Sequence, residues 1–450
     1  MLVETVLLYV LGILIVAAGL VLSIGLHEIG HLVPAKAFGV KVGQYMIGFG
    51  PTLFSRKRGE TEYGVKAIPL GGYISMAGMY PPPKTEAAAA EPGGAHSRTA
   101  TTGVFQTLVQ EAPAEPTSHD DDARSFYRLA VPKRIVIMLG GPLMNLLIAV
   151  VLYGVVLCAF GVQQPSTTVG SVSQCVLPPT STATSCPAGA AESPAAAAGI
   201  RPGDELVSVD GTAVTGWTQA TSIIQKSPGT AIDIVVLRDH ARKTLTMTPL
   251  LTERYVTDTA GNVVTNAAGV KETEKVGFVG IGAALARVQQ PVTAVLPAVG
   301  DNIGSVVHLI VNLPERLVGV AKAAFGGGTR DPNGPVGVVG VGRLAGDVAS
   351  LDSVPILDRA SALVGILASL NVALFVFNLV PLLPLDGGHV AGAIIEGVRR
   401  SVAKLFGKRD PGPVDPSKIL PLTLVVVTVL GAMSLLLVYA DIVNPIKLGG

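Results

Sequence analysis

Two histidines and a glutamate, in the stretch Ser23-Ile24-Gly25-Leu26-His27-Glu28-Ile29-Gly30-His31, are the residues of this chain whose spacing most directly implies chemistry. On a helix, positions four apart share a face, so His27 and His31 can each aim an imidazole nitrogen at one point while Glu28 lies beside them. That arrangement supplies two nitrogen ligands to a metal and a carboxylate able to take and return a proton. The motif closes an uncharged run from Val6 to Leu26. Strongly polar groups deep in a membrane helix cost roughly 2.5–3.5 kcal/mol each on insertion scales, and metal coordination offsets that cost. The plainer alternative is a pair of histidines snorkelling to the headgroups with Glu28 as an ion partner.

The elements that must position this motif follow from composition. The chain is 49% hydrophobic and 14% charged, with a mean hydropathy of +0.53, whereas about 25% charged residues is usual for a soluble domain. A polytopic α-helical membrane protein is expected. Four uncharged runs reach the roughly 20 residues needed to cross a bilayer: Val6 to Leu26, Ile135 to Val162, Ser361 to Leu385 and Ile419 to Ala440. The first is full length and lacks a basic leader, so it is read as a retained helix and not as a cleaved signal. The net charge of +1 carries no partner information, and no nucleic-acid partner is expected.

Lysine and arginine cluster after run one (Lys36, Lys41), before run two (Arg128, Lys133, Arg134) and between runs three and four (Arg399, Arg400, Lys404, Lys408, Arg409). By the positive-inside rule these loops are cytoplasmic, and both termini and the long 163–359 segment are extracytoplasmic. Run one then travels inward and brings His27 and His31 near the cytoplasmic face. Run three also travels inward and ends in Asn378-Leu379-Val380-Pro381-Leu382-Leu383-Pro384-Leu385-Asp386-Gly387-Gly388-His389. Asp386 therefore arrives at the same depth as the two histidines. A catalytic zinc takes three protein ligands and leaves one position open, which His27, His31 and Asp386 satisfy. His389 is a rival to Asp386; the aspartate ranks higher because it otherwise has no partner at that depth. Pro381 and Pro384 are expected to unwind the chain and aim Asp386.

The intervening segments read as follows. Residues 41–79, with glycines and prolines around alternating apolar positions and the basic turn Arg56-Lys57-Arg58, form a membrane-associated β-hairpin. Residues 81–123 read as a disordered cytoplasmic linker. Asn145, deep in run two behind Gly140-Gly141-Pro142, must face another helix or the cavity. Cys158 is read as a buried apolar side chain, while Cys175 and Cys186, on the extracytoplasmic side, are either a disulfide or two free thiols. Strands are expected at Thr168 to Val172, Glu205 to Val209 and Ile232 to Leu237. The run Gly199-Ile200-Arg201-Pro202-Gly203-Asp204-Glu205-Leu206 with Val209-Asp210-Gly211 resembles a PDZ domain. Residues 288–325 are read as interfacial amphipathic helices.

Taken together, His27-Glu28-Ile29-Gly30-His31, the Gly48-Phe49-Gly50-Pro51 and Ile68-Pro69-Leu70-Gly71-Gly72-Tyr73 segments, Gly141-Pro142-Leu143-Met144-Asn145, and Asn378 to Gly388 resemble the site-2 protease family of intramembrane zinc metalloproteases, in its bacterial branch with one PDZ domain. The resemblance implies Zn2+ held by His27, His31 and Asp386, Glu28 as catalytic base and acid, and Asn378 and Asn145 near the substrate. It also implies cleavage of single-span membrane proteins in regulated intramembrane proteolysis, such as anti-sigma factors already trimmed outside, with the PDZ domain touching the substrate's extracytoplasmic tail. The long linker and the cysteine-flanked insertion depart from that pattern. The expected organisation is a first helix with the hairpin over 1–80, the linker over 81–123, a second membrane helix over 124–163 and the PDZ domain over 164–250. Interfacial helices and a glycine-rich segment follow over 251–360, then two membrane helices with the Asp ligand over 361–450. The chain is placed as a multi-pass protein of the cell membrane, in contact with lipid. Rival readings are a membrane-anchored metalloprotease that cuts exposed loops, an inactive PDZ scaffold, and a transporter, the last lacking inverted repeats.

Overall fold

The computed structural model describes residues 2–79, 100–101, 123–177, 185–256, 263–264, 266, 271–328, 330–331, 334–412 and 420–446. Two compact units emerge, one formed by residues 1–160 with 290–450 and the other by residues 161–289.

The first unit begins with helix α1 (Leu2–Ala37), which has Glu4 in its first turn and Lys36 in its last, both complementing the helix dipole. Its end is specified by sequence. Gly39 adopts φ 83°, and the amides of Gly39 and Val40 reach back to the carbonyls of Lys36 and Ala35 at 3.0 and 2.9 Å, a Schellman cap. Strands β1 (Val42–Arg58) and β2 (Thr61–Met76) then form the expected hairpin. The hairpin is folded over on itself: Gln44 to Ile47 pair with Gly72 to Ser75 on one side and with Glu62 to Val65 on the other. Positive φ at Gly48, Gly50 and Gly71 permits these bends. Tyr45 anchors the inner half to α1 through a 2.8 Å hydrogen bond to the Gly25 carbonyl, and Val42, Met46, Ile74 and Met76 are buried. A two-residue strand, β3 (Ala100–Thr101), pairs with the end of β2; apart from these residues and position 123, the expected linker lies outside the described residues.

Helix α2 (Val131–Gly154) follows, with proline in its first turn, and continues as a π-helical stretch over Val155–Phe160. It crosses α1 at glycines: a Cβ on Gly30 would meet the Gly140 carbonyl, and one on Gly140 would meet the Gly30 carbonyl. Small residues are what allow two membrane helices to touch backbone to backbone.

The second unit contains β4 (Val162–Val172), α3 (Pro194–Ala197), β5 (Glu205–Val209), β6 (Thr212–Ala213), α4 (Trp217–Gln225), β7 (Ile232–Arg238), β8 (Ala241–Met247), β9 (Leu250–Tyr255), β10 (Thr273–Phe278) and β11 (Ile281–Val288). Its sheet has the order β11-β4-β5-β7-β8, with β6 beside β5 and β9 pairing with β10. Val169, Leu206, Val209, Ile232, Ile234 and Val236 form its core, as alternating strand residues must when one face is buried. The unit runs to Gln289 and not to 250, because β11 returns to pair with β4. Cys175 and Cys186 form a disulfide with Cα atoms 5.9 Å apart, and Cys158 is a free thiol.

The chain re-enters the first unit with α5 (Val295–Val311), α6 (Leu313–Gly326), α7 (Val338–Ser350), α8 (Ile356–Asn378), α9 (Asp386–Leu405) and α10 (Leu420–Val443). Among the described residues, five helical stretches are long and apolar enough to cross a membrane: Val3–Ala37, Val131–Phe160, Val292–Val311, Ile356–Asn378 and Pro421–Val443. The third of these adds to the four expected from uncharged runs and covers part of the segment expected at the interface. Pro297 falls in the first turn of α5, where its missing N–H removes no helical bond. Helix α7 lies against the N-terminal half of α1, where Ala345 and Ala349 join Val16 and Leu363 in one cluster.

Candidate metal centre

Three elements converge where α1 passes α2. Helix α1 supplies His27, Glu28 and His31 on adjoining positions of its last turns. Asp386 comes from a break: α8 stops at Asn378, residues 379–385 are non-helical, and α9 begins at Asp386 itself. Pro381 and Pro384 enforce that break, as the sequence predicts. Gly387 is needed at the re-start, because a Cβ there would collide with the carbonyls of Leu379 and Val380.

One side-chain atom each from His27, His31 and Asp386 lies within 4.8 Å of the others. The separations are 3.2 Å between the two Nε2 atoms, 3.3 Å from His27 Nε2 to Asp386 Oδ2 and 3.4 Å from His31 Nε2 to Asp386 Oδ2. A tetrahedral zinc with bonds of about 2.0–2.2 Å holds its ligand atoms about 3.3–3.5 Å apart, so the triangle has the size the metal requires. The donor chemistry fits as well. Asp386 Oδ2 is buried and has no hydrogen-bond partner, a costly condition for a carboxylate unless a cation completes it. His389 is not among the three residues brought together.

Both imidazoles are supported from behind. His31 Nδ1 lies 2.8 Å from the Ile137 carbonyl, and His27 Nδ1 lies 3.0 Å from the Asn145 side-chain amide. An acceptor at Nδ1 puts the ring proton there and leaves Nε2 free to bind a metal. At Asn145 it is the amide nitrogen Nδ2 that faces His27 Nδ1, while Oδ1 is buried without a hydrogen-bond partner; a 180° turn of the amide would bring Oδ1 to that place as the acceptor of the Nδ1 proton. Asn145 thus has the partner its depth demands, and that partner is one of the three residues that could hold a metal. Gly141 lets the rings approach α2, since a Cβ there would strike His31 Nε2 and His27 Cε1.

Glu28 is 5% exposed and His31 fully buried. The β2 backbone reaches Glu28: a Cβ on Gly72 would stand 2.9 Å from Glu28 Cγ. Glu28 and the hairpin are therefore neighbours. Asn378 is half-buried at the last turn of α8, and among the described residues it makes no side-chain hydrogen bond to the three ligands.

Two features of the centre escape motif reading. The Ile137 carbonyl is a backbone group and leaves no mark in the sequence. Arg134 and Glu396 form a buried bidentate pair at 3.1 and 2.7 Å that fastens α9 to α2. Its signal was available, since Glu396 stands among Ile394, Ile395 and Val398 and a carboxylate there requires a cation.

Residues 15–409 match the peptidase family M50. The chain is 35% identical over 453 residues to the zinc metalloprotease Rip1 of Mycobacterium tuberculosis, covering 98% of this chain and 99% of the relative. It is 33% identical to the zinc metalloprotease Rip1 of Mycolicibacterium smegmatis, covering 97% and 98%. Against the metalloprotease MmpA of Caulobacter vibrioides the identity is 30%, covering 86% of this chain and 87% of the relative.

Proposed function

The chain belongs to peptidase family M50, the site-2 proteases, and is a zinc metalloendopeptidase of the membrane; from that premise we propose that it cuts single-span membrane proteins near the cytoplasmic face, as a step of regulated intramembrane proteolysis. The observation that carries this reading is the His27–His31–Asp386 triangle, with both histidines on the membrane-length helix α1 and Asp386 a few residues beyond the end of another, α8. Proteolysis that admits a membrane segment needs its metal at membrane depth.

In this reading His27, His31 and Asp386 hold the zinc, while Asn145 and the Ile137 carbonyl fix the two imidazole tautomers. Bound zinc supplies a Lewis acid that polarises the scissile carbonyl and makes a water acidic enough to be deprotonated near neutral pH. Glu28 accepts that water's proton and returns it to the leaving nitrogen, so one water is consumed and one peptide bond broken. A helical substrate hides its carbonyls in hydrogen bonds and must first be extended. The β2 edge beside Glu28 offers main-chain groups for strand addition, and Asn378 contacts the opened chain. The 161–289 unit reads as a PDZ-like domain on the extracytoplasmic side, where it touches the substrate's trimmed tail. With Val292–Val311 seated at the membrane interface and not counted as a span, both termini share that side. Membrane-bound anti-sigma factors are the substrate class that the family resemblance implies.

The test compares membrane fragments in cells carrying the wild-type chain or Glu28→Gln, with the cut mapped by mass spectrometry on a single-span substrate. A cut inside the apolar segment, lost by about 10²–10⁴-fold in the variant, is expected. Cuts confined to loops outside that segment would instead make the chain a membrane-anchored loop protease. Fragments unchanged by Glu28→Gln would overturn the enzymatic role given to this residue.

A further inference from the structure

Helix α9 is amphipathic in the reverse sense of a soluble helix. Its inner face is polar: Glu396 is buried against Arg134, and Arg400 reaches Glu396 at 2.9 Å and Asp410 at 3.5 Å. Its outer face is apolar. Ile394, Ile395, Val398, Val402, Leu405 and Phe406 are all exposed, the last two 81% and 70%. At 100° per residue these six positions fall within about 120° of one another, forming one stripe roughly 18 Å long.

Cations gather at the C-terminal end of that stripe. Arg399 borders it, the exposed Lys404 continues the Glu396–Arg400 row one turn on, and the exposed Lys408 and Arg409 follow the helix end. Among the described residues none of the four has an ion-pair partner, whereas the acidic groups nearby, Glu396 and Asp410, are held by Arg134 and Arg400. An apolar stripe bordered by long cationic side chains is the pattern of a helix seated at a bilayer boundary, with stems along the acyl region and charges among the headgroups. The cluster also lies on the loop that the charge rule makes cytoplasmic, where the leaflet is anionic.

We infer that the outer face of α9 is a docking surface for anionic phospholipid headgroups, bound by Arg399, Lys404, Lys408 and Arg409 around the Ile394–Phe406 stripe. The surface is independent of peptide hydrolysis. Its position matters because Asp386 is the first residue of the same helix, so the lipid seat and the metal ligand belong to one rigid element.

The test uses the full-length, zinc-loaded protein in nanodiscs of phosphatidylcholine alone or with about 30 mol% phosphatidylglycerol, reading amide hydrogen exchange over residues 394–409. Each cation near an anionic surface contributes about fivefold to binding, so exchange there is expected to slow by at least about tenfold with the anionic lipid. The quadruple variant Arg399→Gln/Lys404→Gln/Lys408→Gln/Arg409→Gln should lose that response, and Lys404→Arg/Lys408→Arg should keep it. Lys408→Gln/Arg409→Gln, beyond the helix end, provides a variant that leaves the helix intact and should lose about half of the response on a logarithmic scale. Equal exchange in the two lipids, or a response unchanged in the quadruple variant, would overturn the inference and leave the stripe to hydrocarbon or to another protein segment.

Discussion

The two units of this chain bury opposite things. In the 161–289 unit the interior is Val169, Leu206, Ile232, Ile234 and Val236, and its buried carboxylate, Asp204, is paired with Arg238. In the other unit large apolar residues such as Leu7, Leu14, Leu22 and Leu435 are exposed, while His31, Asp386, Arg134, Glu396, Arg330 and Asp441 are inside. Water drives the first arrangement, because apolar area leaves it at about 25 cal/mol per Å². Lipid drives the second, because hydrocarbon solvates leucine but leaves an imidazole or carboxylate in need of a partner. Each buried polar group of the membrane unit should therefore fail together with its partner, and this can be tested group by group.

The largest effect is expected at the metal. Asp386→Asn leaves two ligands on α1 and should remove stoichiometric zinc and all proteolysis, as read by metal analysis of purified protein; full zinc content in that variant would break the assignment. Next comes the Arg134–Glu396 pair. Arg134→Met leaves the buried Glu396 carboxylate only the part-exposed Arg400 at 2.9 Å and should cost about 1–3 kcal/mol in chemical unfolding in detergent, with Arg134→Met/Glu396→Met recovering most of it. An additive double variant would show that the two charges do not act as a pair. Asn145→Ala should leave the fold intact and weaken zinc binding by about 10–100-fold in a chelator competition, since His27 loses the group that holds its tautomer.

The smallest effect belongs to the water-facing unit. Burial alone would push the Asp204 carboxyl up, but the Arg238 guanidinium and the Arg201 backbone N–H hold it below its ordinary value. A lowered folded-state value means that this contribution is complete above the unfolded value near 3.9 and disappears as pH falls below it. Hydrogen exchange of β5 and β7 in the full-length protein should accelerate over that acidic range, and Asp204→Asn should flatten the dependence. A dependence centred near neutrality would assign it to a different group.

How far the sequence reached follows the same division. Four apolar helices, the hairpin, the break at Pro381–Pro384 and the three residues that the structure brings together were legible, because periodicity, proline and charge position are local properties. The hairpin's fold-over was not: it depends on Gly48, Gly50 and Gly71 bending together, and on Gln44 to Ile47 finding two partners. The extension of the second unit to Gln289 was hidden for a similar reason, since β11 has no partner until β4 is in place. Asn145 was legible as a residue in need of a partner, but not as the neighbour of His27.

By itself the sequence determined the chemistry available: two imidazoles and a carboxylate four residues or fewer apart, an aspartate brought to the same depth, and a chain apolar enough to hold them in a bilayer. Only the tertiary structure decided that Asp386 Oδ2 and the two Nε2 atoms form a triangle with 3.2–3.4 Å edges, and that Ile137 and Asn145 turn both rings toward it. The reason is physical. Ligand type is carried by single residues, whereas ligand geometry depends on how closely α1 and α2 can cross, which Gly30, Gly140 and Gly141 permit only when they meet.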